Sequence, residues 1–184
     1  MKCFPIVLFL LFFQYHFAQS TDTKIYNSNN GLISNYVSKV FVDSKDDLWV
    51  GTRAGLAKKV MNRFEQEPNS ILYKFNNIFD ILEDDENGMW IAGYGQGVLY
   101  FHNNQSKLID VKSGLISNQV RTLYSTGGKI YAGTQNGVSI ISTKDLSIKN
   151  PKFSQNKSYF FEVSSFFRTQ KKFTRLQLMM VYTK

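Results

Sequence analysis

The chain has 184 residues, of which 43% are apolar and 20% are charged, a composition typical of one folded globular domain. Its only cysteine is Cys3 and its only histidines are His16 and His102, which excludes disulfide frameworks and zinc sites built from several cysteines or histidines. The net charge of +8 is local, because residues 20–110 carry 9 Lys and Arg against 12 Asp and Glu, whereas residues 111–184 carry 12 against 2.

Residues 1–19 have the pattern of a secretory signal. One positive charge, Lys2, precedes an apolar run at residues 4–13, and a small residue, Ala18, follows it. The run is too short for a membrane span, which needs about 20 apolar residues. We therefore expect cleavage near Ala18 and a mature protein that is periplasmic or secreted.

The rest of the chain contains a repeat of about 41 residues. Residues 31–37 and 114–120 begin with the same five residues, Gly-Leu-Ile-Ser-Asn. Trp49, Trp90 and Tyr131 follow one another at intervals of 41 residues, each within a short apolar run that is followed by glycines. Three copies at one period indicate a repeat architecture.

Each copy predicts three or four short antiparallel strands. The first strands are expected at residues 37–43, 78–84 and 120–126, and the second at 48–52, 89–93 and 129–134. The third are expected at 56–60, 98–102 and 138–143, and outer strands at 107–111 and 146–149. Asn87-Gly88 and Gly127-Gly128 predict type I′ hairpin turns between the first two strands, with Asp46-Asp47 a weaker signal of the same turn.

This pattern predicts an all-β fold, an incomplete β-propeller of about three four-stranded blades within residues 20–150. The blades are expected near residues 31–72, 73–112 and 113–150. A blade cannot bury both faces of its small sheet alone, so Trp49, Trp90 and Tyr131 are expected to fill the space between neighbouring blades.

The repeated residues also resemble a known family. The first copy has Gly31-Leu32, Asn35, Asp43, Leu48-Trp49-Val50-Gly51-Thr52 and Gly55-Leu56. The third copy keeps Gly114-Leu115, Asn118, Gly133-Thr134 and Gly137. The middle copy keeps Asp84 and Trp90 but has Phe75-Asn76 in place of the opening motif. This pattern is similar to the two-component regulator propeller repeats of large periplasmic sensors in Bacteroidetes. The resemblance implies an extracytoplasmic sensor, commonly for glycans or their breakdown products, that continues into a further β-domain, a membrane helix and a histidine kinase region. We accordingly expect the chain to be a truncated part of such a sensor, with further blades or the kinase region as partners.

Candidate ligand-binding residues follow from comparing the three copies. Arg53, Tyr94 and Gln135 occupy equivalent positions after the repeated aromatic strand, yet they differ in chemistry. Variable side chains on loops of a fixed framework suit ligand recognition, although surface drift would give the same pattern. The acidic run at residues 83–88 resembles a calcium loop but has Tyr94 where the bidentate carboxylate belongs, so we expect a solvated turn and neither a metal nor a cofactor.

Residues 151–184 do not continue the repeat and combine many Phe, Lys and Arg residues. A nucleic-acid or membrane-surface segment would have this composition, but we favour a disrupted fourth blade and expect no nucleic-acid partner, because the protein is exported. An incomplete ring leaves apolar blade faces open, which predicts self-association.

The signal-like segment and the resemblance together imply an exported, non-catalytic sensor module with an oligosaccharide ligand. The alternatives are a structural or carbohydrate-adhesion fragment and, with less support, a propeller lyase or hydrolase.

Overall fold

The computed structural model describes residues 23–151 and, beyond them, the backbone of two short paired strands, Phe166–Phe167 and Gln177–Leu178. The expected signal at residues 1–19 and almost all of the basic tail at residues 152–184 lie outside the described residues. Residues 23–151 contain no helix that is long and apolar enough to cross a membrane.

Three four-stranded antiparallel sheets make up the fold of residues 23–151, and each runs in chain order from an inner to an outer strand. Blade 1 contains β1 (Val37–Val42), β2 (Leu48–Thr52), β3 (Gly55–Val60) and β4 (Arg63–Gln66). Blade 2 contains β5 (Ile78–Glu83), β6 (Met89–Gly93), β7 (Gly97–His102) and β8 (Gln105–Ile109), and blade 3 contains β9 (Val120–Thr126), β10 (Lys129–Thr134), β11 (Gly137–Ser142) and β12 (Ile148–Lys149). Short helices precede each sheet: 3₁₀ turns at Ser28–Asn30 and Val111–Ser113, and α1 at Pro68–Leu72.

The inner strands bring the blades together, because β5 contacts β1 on one side and β9 on the other. Between blades 1 and 2 lies an apolar cluster of Trp49, Leu56, Phe75, Ile78, Ile81, Met89, Ile91 and Leu99. A second cluster joins blades 2 and 3 and contains Trp90, Ala92, Val98, Ile109, Leu115, Val120, Leu123, Ile130, Ala132 and Ile141. The predicted all-β architecture of about three four-stranded propeller blades is confirmed.

Two elements between β3 and blade 2, strand β4 and helix α1, were not predicted from the sequence. Strand β4 is short and mostly polar, and only Phe64 in it is buried, so it lacks the alternation that marks a strand. Helix α1 begins at Pro68, and Glu67 caps it by accepting a hydrogen bond from the Asn69 amide. The pair Glu67-Pro68 was the available signal for this helix.

The hairpin turns between the first two strands differ between blades. Gly127 and Gly128 have φ values of 58° and 68°, so the predicted type I′ turn is confirmed there. The same prediction for Asn87-Gly88 is wrong: only Asn87 has positive φ (64°), and the turn is longer, closed by the Asp84 amide donating to the Gly88 carbonyl at 2.9 Å. Glycine is needed at position 88 for space, because a Cβ there would lie 2.7 Å from Oδ2 of Asp84.

Among residues 23–151, the face of blade 1 that points away from blade 2 is covered over its outer half only. There Leu32 packs with Val50 and Phe64 in a small cluster, which Tyr26 adjoins. Over the inner half, Val40 and Val42 are 57% and 54% exposed.

Candidate ligand-binding face

The three predicted ligand-binding residues lie at the same end of the three blades. Arg53, Tyr94 and Gln135 each follow the second strand of their blade and begin the turn into the third. In each blade the backbone N–H of this residue donates to a carbonyl group just before the inner strand. The acceptors, all at 3.1 Å, are the carbonyl oxygens of Tyr36, Asn77 and Gln119.

Backbone contacts continue from blade to blade along this end of the molecule. The Asn77 amide donates to the Arg53 carbonyl at 3.1 Å, which joins blade 2 to blade 1. Tyr94 pairs with Gln119 as an isolated β-bridge, and the amides of Gly95 and Gly97 both donate to the Asn118 carbonyl, at 3.0 and 2.9 Å. The turns that carry the predicted residues are therefore held in a continuous arrangement, which we call the ligand face.

The turn in blade 2 differs from the other two. In blades 1 and 3 a threonine hydroxyl closes a two-residue turn, with Thr52 and Thr134 each donating at 2.9 Å to the carbonyl of the following glycine. Blade 2 has Gly93 at that position and one additional residue in the turn, and Gly95 takes a φ of 90°. This longer turn carries Tyr94.

Tyr94 lies between an aromatic ring and a guanidinium group. The Phe79 ring centroid is 5.3 Å from that of Tyr94, and the Arg121 guanidinium lies 5.1 Å from the Tyr94 centroid. Nη2 of Arg121 also donates to the Tyr94 hydroxyl at 3.4 Å. We call Phe79, Tyr94 and Arg121 the Tyr94 cluster; Phe79 in it is 41% exposed.

A second cation–aromatic pair lies in blade 1. The Arg53 guanidinium is 4.8 Å from the centroid of Tyr36, and both side chains are exposed. The Gln135 side chain in blade 3 is also exposed. The ligand face thus presents aromatic rings, guanidinium groups and an amide.

Sequence reasoning missed the residues that complete these pairs. Near the start of each inner strand, one extra residue forms a β-bulge that shifts the pairing register. The extra residue is Ser38 in β1, Phe79 in β5 and Arg121 in β9. Such a bulge turns a side chain out of the regular alternation of the strand. The three copies differ in chemistry at these positions, but only the register between the strands shows that the side chains leave the regular alternation.

Beneath the ligand face, a buried carboxylate joins all three blades. Asp80 of β5 is 8% exposed; its Oδ1 lies 2.7 Å from Nζ of Lys39 in β1. Its Oδ2 accepts hydrogen bonds from the Leu123 amide at 2.8 Å and from the Thr122 hydroxyl at 3.3 Å, both in β9. The sequence analysis did not predict this role of Asp80. The sequence feature that indicates it is an acidic residue within an otherwise apolar strand.

The aromatic residues predicted to fill the spaces between blades differ in burial. Trp49 is 4% exposed and Trp90 fully buried. Tyr131 is only half-buried, and its ring lies 6.4 Å from that of Tyr124. The indole N–H of each Trp donates to an aspartate of the hairpin turn, Asp43 at 2.8 Å and Asp84 at 2.7 Å.

These two aspartates also organise their turns. Oδ1 of Asp84 accepts the amides of Glu86 and Gly88, so the acidic run at residues 83–88 forms a hairpin turn around its own carboxylate. Burial raises the pKa of the Asp43 carboxyl, but the Trp49 hydrogen bond, the Asp47 and Lys45 amides and the Lys58 charge outweigh it, so the pKa lies below its ordinary value. Within residues 23–151, no group of three His, Cys, Asp or Glu side chains could hold a metal ion.

Comparison with known proteins supports the architecture. Residues 31–54 and 73–95 match the repeat family described as "Two component regulator propeller". The chain is also similar to a protein of Formosa agariphila named "Histidine kinase P4", with 32% identity over 98 residues, covering 48% of this chain and 7% of that protein.

Two crystal structures share the fold. Both are described as the extracellular domain of BT4673 from B. thetaiotaomicron, one as part of a one-component system and the other as part of a hybrid two-component system. Their TM-scores to this chain are 0.60 and 0.62, at 19% identity, covering 80% and 78% of this chain and 19% of each domain. The chain thus spans a small part of the proteins that it matches. Its residues build consecutive propeller blades, and two stretches of the chain, one beginning before blade 1 and one before blade 2, are similar to the two-component regulator propeller repeat.

Proposed function

We propose that the chain is an exported, non-catalytic ligand-sensing module of a two-component sensor, and that an oligosaccharide binds across its ligand face. The observation that carries this proposal is the Tyr94 cluster, which lies on a turn held by backbone bonds to the next blade. Aromatic and polar groups on loops of a rigid scaffold are the usual setting of a binding site.

The chemistry of the face suits a saccharide. Sugar rings have C–H faces that pack on exposed aromatic rings, and Phe79 and Tyr36 are 41% and 68% exposed. The hydroxyl groups of a sugar need both donors and acceptors. Arg53 offers guanidinium donors and Gln135 offers an amide that does both.

A sensing role needs a route from the ligand to an effector. The similarity to a protein named as a histidine kinase supports a place for the chain within a longer sensor, with further blades or a kinase region as its partners. Asp80 suits such a role, because its hydrogen bonds and ion pair link the blades directly beneath the face.

The test is binding of the full chain to a glycan array that carries neutral and acidic oligosaccharides, followed by calorimetry with the best binder. Tyr94→Ala and Arg53→Ala should each weaken binding about tenfold or more, the usual effect of removing a central aromatic or arginine contact. Tyr73→Ala is the matched control, because Tyr73 lies on the outer side of blade 2, where its hydroxyl donates to the Ser106 carbonyl.

Equal affinity of the parent, Tyr94→Ala and Arg53→Ala for the same oligosaccharide would place the site elsewhere. Cleavage products in the calorimeter cell would contradict the non-catalytic assignment.

A further inference from the structure

A second polar cluster lies at the outer edge of blade 1, where two lysines converge on one tyrosine. Nζ of Lys24 is 5.2 Å from the centroid of the Tyr26 ring, and Nζ of Lys59 is 5.5 Å from it. The ring is held in place by Phe64, which it meets edge-on with centroids 5.1 Å apart. Lys59 belongs to the half of β3 that is farther from Gly55, so the cluster is well separated from the turn that carries Arg53.

Neither lysine has a carboxylate partner among residues 23–151. The ion pairs in this part of the chain are Lys39 with Asp80, Lys58 with Asp47, and Arg63 with Glu65. Lys24 also donates to a neutral amide oxygen, Oδ1 of Asn62, at 3.4 Å. Among residues 23–151, two positive charges are therefore held beside one phenol without a carboxylate partner.

Both ammonium groups affect the phenol oxygen as well as the ring. Desolvation raises the pKa of the Tyr26 phenol, but hydrogen bonding by Lys59 and Lys24 and the charges of both lysines outweigh this, and the pKa lies below its ordinary value. A site that favours negative charge on the phenol oxygen also favours an external anion next to it.

We propose that Lys24, Tyr26 and Lys59 form a binding site for a tetrahedral oxyanion, a sulfate or phosphate group, free or carried on a larger molecule. Two cations match the double charge of inorganic sulfate or of a phosphate group at neutral pH, and the phenol O–H supplies a further donor. Lysine is a compact charge with rotatable donors and binds such groups well, whereas the planar carboxylate is better matched by arginine. The site is independent of the proposed saccharide site.

The test is calorimetric titration of the full chain with sodium sulfate and with sodium phosphate, with chloride added to keep the ionic strength equal. The double variant Lys24→Gln/Lys59→Gln should weaken binding of both anions about tenfold or more, because it removes two charge-assisted contacts. The control double variant Lys45→Gln/Lys112→Gln removes the same charge from exposed lysines elsewhere and should bind like the parent.

The Tyr26 phenol provides a second readout. Bound sulfate neutralises the two lysines and should raise the Tyr26 pKa, measured from phenolate absorbance as the difference between the parent and Tyr26→Phe. Dextran sulfate compared with dextran then distinguishes a group carried on a polymer from the free ion.

The proposal is overturned if sulfate and phosphate give no more binding heat than chloride and leave the Tyr26 pKa where chloride leaves it. The lysines would then serve only to hold the Tyr26 ring in place. Equal loss of binding in the two double variants would also overturn it, because it would show general charge attraction.

Discussion

At the residue scale, the repeat is organised by a pair of side chains: the aspartate that directly follows the inner strand, and the tryptophan of the second strand. Asp43 and Trp49 form this pair in blade 1, and Asp84 and Trp90 form it in blade 2. One carboxylate oxygen of each Asp binds the indole and the other caps amides of the turn. In blade 3 both partners are absent together, because Tyr131 replaces Trp and the turn is Gly127-Gly128. An indole needs an acceptor when buried, so the two residues are interdependent.

We predict that Trp90→Ala lowers the free energy of unfolding by ~3–5 kcal/mol, the usual cost of deleting a large buried aromatic. Trp90→Phe should cost less but still destabilise, because it leaves one oxygen of Asp84 without its indole donor. Tyr131→Ala is the matched comparison and should cost less than Trp90→Ala, since Tyr131 is only half-buried. Urea unfolding followed by circular dichroism measures all three; equal midpoints for the parent and Trp90→Ala would contradict the core assignment.

A pH dependence follows from Asp43. Its pKa is depressed in the folded protein, so its ionised form contributes stability above the unfolded-state pKa, and this contribution is lost as the pH falls through the folded-state pKa. We expect Asp43→Asn to destabilise by roughly 1–3 kcal/mol at neutral pH, the range for hydrogen bonds to a charged group. The difference from the parent should shrink once the pH drops below the ordinary aspartate range. Urea unfolding measures this difference in the free energy of unfolding between the parent and Asp43→Asn. A difference that stays constant from neutral to acid pH would show that the negative charge of Asp43 does not contribute to stability.

At the element scale, β5 is the strand on which the three blades depend. It packs between β1 and β9, and Asp80 adds polar contacts to both neighbours. The ion pair with Lys39 is partly exposed and contributes little to stability. The hydrogen bond to the Leu123 amide contributes more, because this amide is buried and has no water to bond to if Asp80 is removed.

We predict that Asp80→Ala destabilises the protein by about 1–3 kcal/mol, the usual cost of leaving a buried donor unsatisfied, because it removes the acceptor of the Leu123 amide. The Leu123 amide should then exchange with deuterium much faster, while amides within the β6–β7 pairing of blade 2 keep most of their protection. The variant Lys39→Ala is the control and should cost less than 1 kcal/mol, as expected for a partly exposed ion pair. Similar costs for the two variants would contradict the dominant role of the Leu123 bond.

The first three strands of each blade were predictable from sequence because they combine apolar residues, turn signals and the 41-residue period. Elements outside the repeated motif were not: β4 has only Phe64 as an apolar anchor, and α1 rests on its cap and proline. For the candidate site, comparing copies predicted Arg53 and Tyr94, which lie on equivalent turns of blades 1 and 2. Their partners could not, since the bulges that turn Phe79 and Arg121 toward the face depend on the register between strands.

At the scale of the whole molecule, the face of blade 1 that points away from blade 2 exposes apolar side chains over its inner half. Residues near Tyr26 and Leu32 pack against its outer half, as a cap would. Its inner half leaves Val37, Val40 and Val42 at 46%, 57% and 54% exposure on an inner strand. In blade 2 the corresponding strand is largely buried between its neighbours.

We therefore expect purified chains to associate through the β1 face, because adjacent exposed valines on a strand favour contact with another apolar surface. The double variant Val40→Lys/Val42→Lys should shift sedimentation velocity profiles toward the monomer without lowering the free energy of unfolding, since both side chains are already exposed. Ile71→Lys/Leu72→Lys is the matched control: these residues are 55% and 69% exposed but lie on α1, outside the β1 face, and the variant should associate like the parent. A parent chain that remains monomeric at all concentrations, or a control that dissociates as fully as the valine variant, would show that the β1 face does not drive association.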